Sequence, residues 1–118
     1  MKIVRIVLAT LGVVAFLSGC DSACGNKPLI SQSSPSGKYQ VVVFNRDCGA
    51  TTGFSTHVSI RESNGALPND AGNVLILDGT VQLSLRWITE SRVAIKGVGG
   101  AKVFKQERIV GGVEVAYE

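Results

Sequence analysis

From Lys38 onward, apolar and polar positions alternate with a period of two, and almost no stretch carries the spacing of an amphipathic helix. Tyr39-Gln40-Val41-Val42-Val43-Phe44 is apolar on both faces, as a strand in the middle of a sheet would be. Thr56 to Arg61 alternates cleanly, which directs Thr56, Val58 and Ile60 inward and His57 to solvent. Asn73 to Asp78 holds a short apolar strand closed by the Asp78-Gly79 turn. Val81 to Trp87 is the best-patterned segment, with Val81, Leu83, Leu85 and Trp87 on one side and Gln82, Ser84 and Arg86 on the other. Trp87 is therefore expected to be the main aromatic of the core. Arg92–Lys96 and Val113–Tyr117 repeat the rule, whereas Lys102 to Val110 alternates less well, as an edge strand does.

These segments, with turn signals at Asn64-Gly65, Asp78-Gly79, Gly99-Gly100 and Gly111-Gly112, predict an all-β antiparallel meander. One apolar face per strand means that one side packs and the other meets water. The expected fold is a small antiparallel β-sandwich or partly closed barrel of about seven strands. Residues 21–36 are rich in Ser, Gly, Asn and Pro and end in the turn signal Ser34-Pro35-Ser36-Gly37, so they read as a linker.

The N-terminus has a different pattern. Lys2 and Arg5 precede an uncharged run from Ile6 to Leu17. A bilayer core needs ~20 apolar residues, so this run is too short to span one and has the length of a signal-peptide h-region. It closes in Leu17-Ser18-Gly19-Cys20, which resembles the lipobox of bacterial lipoprotein signals. The resemblance implies cleavage between Gly19 and Cys20, a diacylglycerol thioether on Cys20 and acylation of the new amine, by palmitate or a similar chain. Two or three chains anchor a protein stably, where a single one binds only marginally. Asp21, next in the chain, resembles the signal that retains lipoproteins in the inner membrane of enteric bacteria. It implies the periplasmic face of that membrane rather than the outer membrane. The organisation is then a signal peptide over 1–19, a lipidated linker over 20–37 and a β-domain over 38–118.

Removal of the leader changes the charge argument. The chain has 12 Lys and Arg against 9 Asp and Glu, but Lys2 and Arg5 leave with the signal. The remainder is close to neutral, which gives no support to nucleic-acid binding. Cysteine usage matters more. Of three cysteines, lipid takes Cys20, and Cys24 and Cys48 remain as an even pair in an oxidising compartment. A bridge between them would close a loop of about 25 residues, worth ~3 kcal/mol in the chain-entropy picture. It would also hold the domain within a few residues of the lipid. The alternative is two free thiols, one of them reactive.

The densest unusual segment is Asn45 to Phe54, which reads Asn-Arg-Asp-Cys-Gly-Ala-Thr-Thr-Gly-Phe. Together with the Tyr39–Phe44 strand before it and the Ser55–Ile60 strand after it, this segment resembles a family of small exported or lipid-anchored bacterial proteins to which no activity is assigned. The resemblance covers about residues 34 to 61 and implies fold and anchor only. Ser34–Tyr39 and Trp87–Val93 also resemble the hairpin turns of a TolB-like propeller blade, although the chain holds material for two blades at most.

Two readings of the Asn45–Phe54 connection follow from its chemistry. In one, Arg46, Asp47, Gly49, Thr51, Thr52 and Gly53 form a pocket in which the Arg46 guanidinium, loop amides and threonine hydroxyls receive a carboxylate, a phosphate or a peptide terminus. In the other, the loop is structural: Arg46 pairs with Asp47 or a neighbour, and Cys48 is tied to Cys24. The segment lacks the Gly-Lys-Ser/Thr ending of a P-loop. A thiolate at Cys48 would need a base, and the one histidine, His57, is expected on the solvent face. A Ser–His57–Asp triad is compatible with composition, without a nucleophile-elbow motif. One histidine and two widely spaced cysteines make no zinc site, and no metal or cofactor is expected. Glu62, Asp70, Asp78 and Glu90 read as solvated turn acids.

The sequence therefore leads to a membrane-anchored envelope lipoprotein acting as a non-enzymatic binding or interaction module, with an envelope protein as its partner. A small-ligand-binding or thiol-active periplasmic protein using the Arg46–Phe54 loop is the alternative. An accessory subunit of a membrane complex is a third reading, favoured if the Lys102–Val110 edge exposes apolar side chains.

Overall fold

The computed structural model describes residues 24–49 and 53–118; the lipobox with Cys20, and the loop residues Thr51 and Thr52, lie outside them. The described chain is all-β. Nine strands run in order: β1 Gly25–Ser33, β2 Tyr39–Asp47, β3 Ser55–Glu62, β4 Leu75–Asp78, β5 Ser84–Thr89, β6 Arg92–Lys96, β7 Val103–Gln106, β8 Ile109–Val110 and β9 Val113–Tyr117. They form a five-stranded sheet, ordered β1-β2-β3-β4-β7, and a four-stranded sheet, ordered β5-β6-β9-β8. The architecture is a sandwich and not a closed barrel.

One apolar cluster joins the two sheets. Val41 and Val43 of β2, Val58 and Ile60 of β3, Leu75 and Leu77 of β4, Leu85 of β5, Val93 and Ile95 of β6, and Val113 and Val115 of β9 are all buried in it. The inward positions fall two apart on each strand, as the alternation requires. Trp87 packs against this cluster from its rim, half-buried, and its indole N–H donates to the Gln32 carbonyl at 3.1 Å. The fully buried aromatic is Phe44 instead.

Three other expectations need correction. The segment read as a linker contains β1, which pairs antiparallel with β2 along its whole length. Pro28 sits in this edge strand next to a register shift between Pro28 and Ile30, and edges and bulges are where a ladder tolerates the missing N–H of proline. The Lys102–Val110 segment is two strands, and each borders a different sheet: β7 pairs with β4, and β8 pairs with β9. This crossing between sheets also makes the pairing of β9 with β6 parallel, so the fold is not a pure meander. Beyond these corrections, both faces of the β2–β3 hairpin are covered, as the apolar pattern of β2 predicts and the alternation of β3 does not.

Candidate functional site

Register places Arg46 opposite Ser55, Phe44 opposite His57 and Val42 opposite Ser59. All six lie on the face of the five-stranded sheet that points away from the core. The alternation of β3 leaves its side of this face to water, yet His57 is only 4% exposed. Residues 63–73 fold back over it. Asn73 takes the place of a strand residue, its side-chain amide accepting from the Ile60 N–H and donating to the Ile60 carbonyl, both at 2.9 Å. Its own N–H donates to Ser59 Oγ. Gly72 comes so close that a Cβ there would stand 2.7 Å from the Val58 carbonyl oxygen and 3.0 Å from His57 Cβ. Only glycine fits this approach.

His57 is held on every side. Its ring stacks on Phe44 with centroids 5.3 Å apart. Gly72 N–H donates to Nδ1 at 2.9 Å, so Nδ1 carries a lone pair and the single proton of the neutral ring sits on Nε2. That Nε2–H donates to Ser55 Oγ at 2.7 Å, and the Ser55 hydroxyl turns to the Arg46 carbonyl at 3.4 Å. Burial first, and then the charges of Arg46 and Lys105, lower the His57 pKa from 6.5 to about 4. The Lys105 ammonium is fixed nearby by a 3.3 Å bond to the Gly72 carbonyl.

This geometry decides what the Ser55–His57 pair does. Activation of a serine requires an unprotonated imidazole nitrogen facing the hydroxyl, with a carboxylate accepting the proton of the other nitrogen. Here the proton faces Ser55, and a backbone N–H occupies the carboxylate's position. In this arrangement the pair is a hydrogen-bond relay running from the Gly72 N–H through the imidazole to the Ser55 hydroxyl.

The sequence-singled residues sit at the end of this face. Arg46 donates from Nη1 to Asn26 Oδ1 at 2.7 Å and to Asn69 Oδ1 at 3.0 Å. Asn69 in turn donates to the Cys24 carbonyl, and Asn26 donates to the carbonyls of Pro68 and Asp70. The guanidinium is thus held by two neutral amides and makes no ion pair among the described residues, whose ion pairs are Arg86–Glu118 and Arg92–Glu114. Asp47 Oδ1 accepts the Gly49 N–H at 3.1 Å, an Asx-type turn that directs this amide back into the loop. Gly53 is exposed. Cys24 and Cys48 are joined in a disulfide across β1 and the end of β2.

Sequence reasoning missed Asn26, Ser55, Asn69, Gly72 and Lys105. The available signal was Val41–Phe44 itself: a strand apolar on both faces needs cover on both, and so does the strand paired with it. Among the described residues no group of three His, Cys, Asp or Glu side chains is placed to hold a metal. Comparison with known proteins gives no match among family models, curated proteins or solved structures.

Proposed function

We propose that this chain is a lipid-anchored protein of the bacterial envelope, on the periplasmic face of the inner membrane, whose β-domain works as a non-enzymatic interaction module. One observation carries the reading: Cys20 of the lipobox stands four residues before Cys24, and Cys24 is bridged to Cys48 at the mouth of the first hairpin. A lipid on Cys20 would then be joined to a rigid sheet by a tether of about 14 Å at full extension. The bridge occupies both remaining sulfurs and so speaks against thiol chemistry at Cys48. The neutral, proton-donating His57 speaks against hydrolysis at Ser55. Exposed apolar side chains on the sheet borders, Val103 and Phe104 of β7 and Ile109 of β8, favour a protein that meets partners.

Intact mass spectrometry of protein extracted from native membranes, with alkylation before and after reduction, tests this. The expected mass is that of the chain from Cys20 with two or three acyl chains, alkylated only after reduction. An unacylated chain ends the anchor reading, and alkylation before reduction ends the argument from the bridge.

A second reading, an anion site at Arg46, is favoured by the absence of an acidic partner on that guanidinium among the described residues. Titration with acetate and inorganic phosphate would show saturable heat that Arg46→Gln abolishes. Equal heats in both proteins would remove it.

A further inference from the structure

We infer that the end of the domain bearing the Cys24–Cys48 bridge is a bilayer-contact surface, with Phe54 and Phe104 entering the headgroup region of a phospholipid membrane. This rests on the anchor reading and adds to it an orientation and a set of contacting residues.

The register defines the end. Gly25 pairs with Asp47, Arg46 with Ser55 and Ser55 with Asp78, while the Asp78 N–H donates to the Lys102 carbonyl. One row therefore crosses all five strands, and Cys24 sits at its first corner. Phe54 lies one residue beyond Ser55, its carbonyl accepting from Gly79 N–H, and its side chain is 53% exposed. At the far corner, Val103 and Phe104 are 40% and 55% exposed. Apolar side chains thus project near the attachment point and at the opposite corner of the same row.

Phe104 is the more telling of the two. The Lys102 ammonium lies 5.3 Å from its ring centroid, so one local unit offers an aromatic body and a cation side by side. Aromatic rings at headgroup level, with lysines reaching toward phosphate, are the composition of a membrane-interface belt. The charges at this end balance, Lys102 and Arg46 against Asp47 and Asp78, so contact with lipid rests on the two rings and on the Lys102 cation beside Phe104. A tether of at most about 14 Å leaves this end, and not the opposite one, within reach of lipid. The opposite end carries the Ser34–Tyr39 turn, and Trp87, bonded to Gln32, lies toward it.

That placement supplies an internal control, because Trp87 is the protein's one tryptophan. The acylated full-length product is reconstituted in vesicles of phosphatidylethanolamine and phosphatidylglycerol containing a brominated phosphatidylcholine, and tryptophan emission is read. Wild-type emission from Trp87 should be unquenched. Phe54→Trp and Phe104→Trp, each combined with Trp87→Phe, should lose roughly half their emission, because interfacial side chains sink ~5–10 Å into the headgroup boundary. Phe54 and Phe104 are exposed, and phenylalanine keeps an aromatic ring at the rim position of Trp87, so near-native circular dichroism is expected for each variant. Absence of quenching at both positions, in protein that floats with the vesicles and carries its acyl mass, overturns the orientation and leaves the anchor intact. Quenching of Trp87 as strong as at position 54 overturns it as well. A product without acyl mass that stays off the vesicles overturns the anchor and the orientation together.

Discussion

The two faces of the β2–β3 hairpin are equally dry and are kept so by different physics. On the inner face Val41, Val43, Val58 and Ile60 pack into the apolar cluster. On the outer face Val42, Phe44, His57 and Ser59 are just as buried, but their cover is the 63–73 segment, pinned by hydrogen bonds from Gly72, Asn73 and Lys105. Hydrophobic burial is non-directional and scales with area. A polar cover depends on each donor finding its acceptor, because a buried group left unsatisfied costs ~1–3 kcal/mol. The inner face should therefore respond to changes in volume, and the outer face to changes in geometry.

The largest expected loss is on the inner face. Leu75 is fully buried in the central cluster, and Leu75→Ala should lower unfolding free energy by ~2–5 kcal/mol in urea titration. It should leave the His57 ring resonances in place, since the 63–73 cover meets the other side of the sheet. Gly72→Ala should invert this pattern. It adds one methyl group, yet that methyl meets backbone at 2.7 Å, so the segment must lift and its bond to His57 Nδ1 must break. A loss of ~1–3 kcal/mol is expected, together with a shifted His57 resonance. If Gly72→Ala leaves the resonance unmoved, the cover is not held as described.

How much of this was legible in the sequence differs between the faces for the same reason. The inner face follows from period-two alternation, and the strands at Tyr39, Thr56, Arg92 and Val113 all stand where the pattern puts them. The all-β class and the partner of Cys48 were legible too. That β2 needs cover on its outer face was legible in its apolar pattern, but the cover itself was not, because it is a segment without period whose bonds run from Asn and Gly amides to partners 14 to 45 residues away. β1 was hidden by its composition: on an edge, Pro28 and exposed polar residues give no apolar stripe. The division of Lys102–Val110 between two sheets left only weak alternation as its trace. At the candidate site, Arg46 and Asp47 were found from residue type, while Asn26 and Asn69 carry no local signal that they converge on one guanidinium.

The outer face should also titrate where the inner face cannot. The folded-state pKa of His57 is lowered to about 4 by burial and by the charges of Arg46 and Lys105, against 6.5 for a free imidazole. Above 6.5 both folded and unfolded chains hold it neutral, and its contribution to stability is complete. As pH falls from 6.5 toward 4, the unfolded chain takes up a proton that the folded chain refuses, so stability declines and the decline levels off near 4. Denaturant titrations across this window should show the decline in wild type and not in His57→Gln. Parallel curves for the two proteins would locate the pH dependence elsewhere.

Glu90 provides the smallest and most selective test, because it ties the sheets together at the end away from the bridge. Its carboxylate accepts from the Ser36 hydroxyl, the Ser36 N–H and the Ser34 hydroxyl, joining the turn between β1 and β2 to the turn between β5 and β6. The Ser36 hydroxyl first, and then its N–H, hold the Glu90 pKa below its ordinary 4.5. The sign matches that of His57, but the window lies lower. The stabilisation is complete above 4.5 and is lost as pH falls through the depressed folded value. Glu90→Gln should therefore remove the acid limb that sets in below about 4.5, leaving the decline from 6.5 to that point unchanged. Sites this far apart with no shared partner are expected to add. The double variant with His57→Gln should then lose both limbs independently. A change in the upper limb on substituting Glu90 would instead mean that the turn and the 63–73 cover open together, and the two faces could no longer be treated as separate.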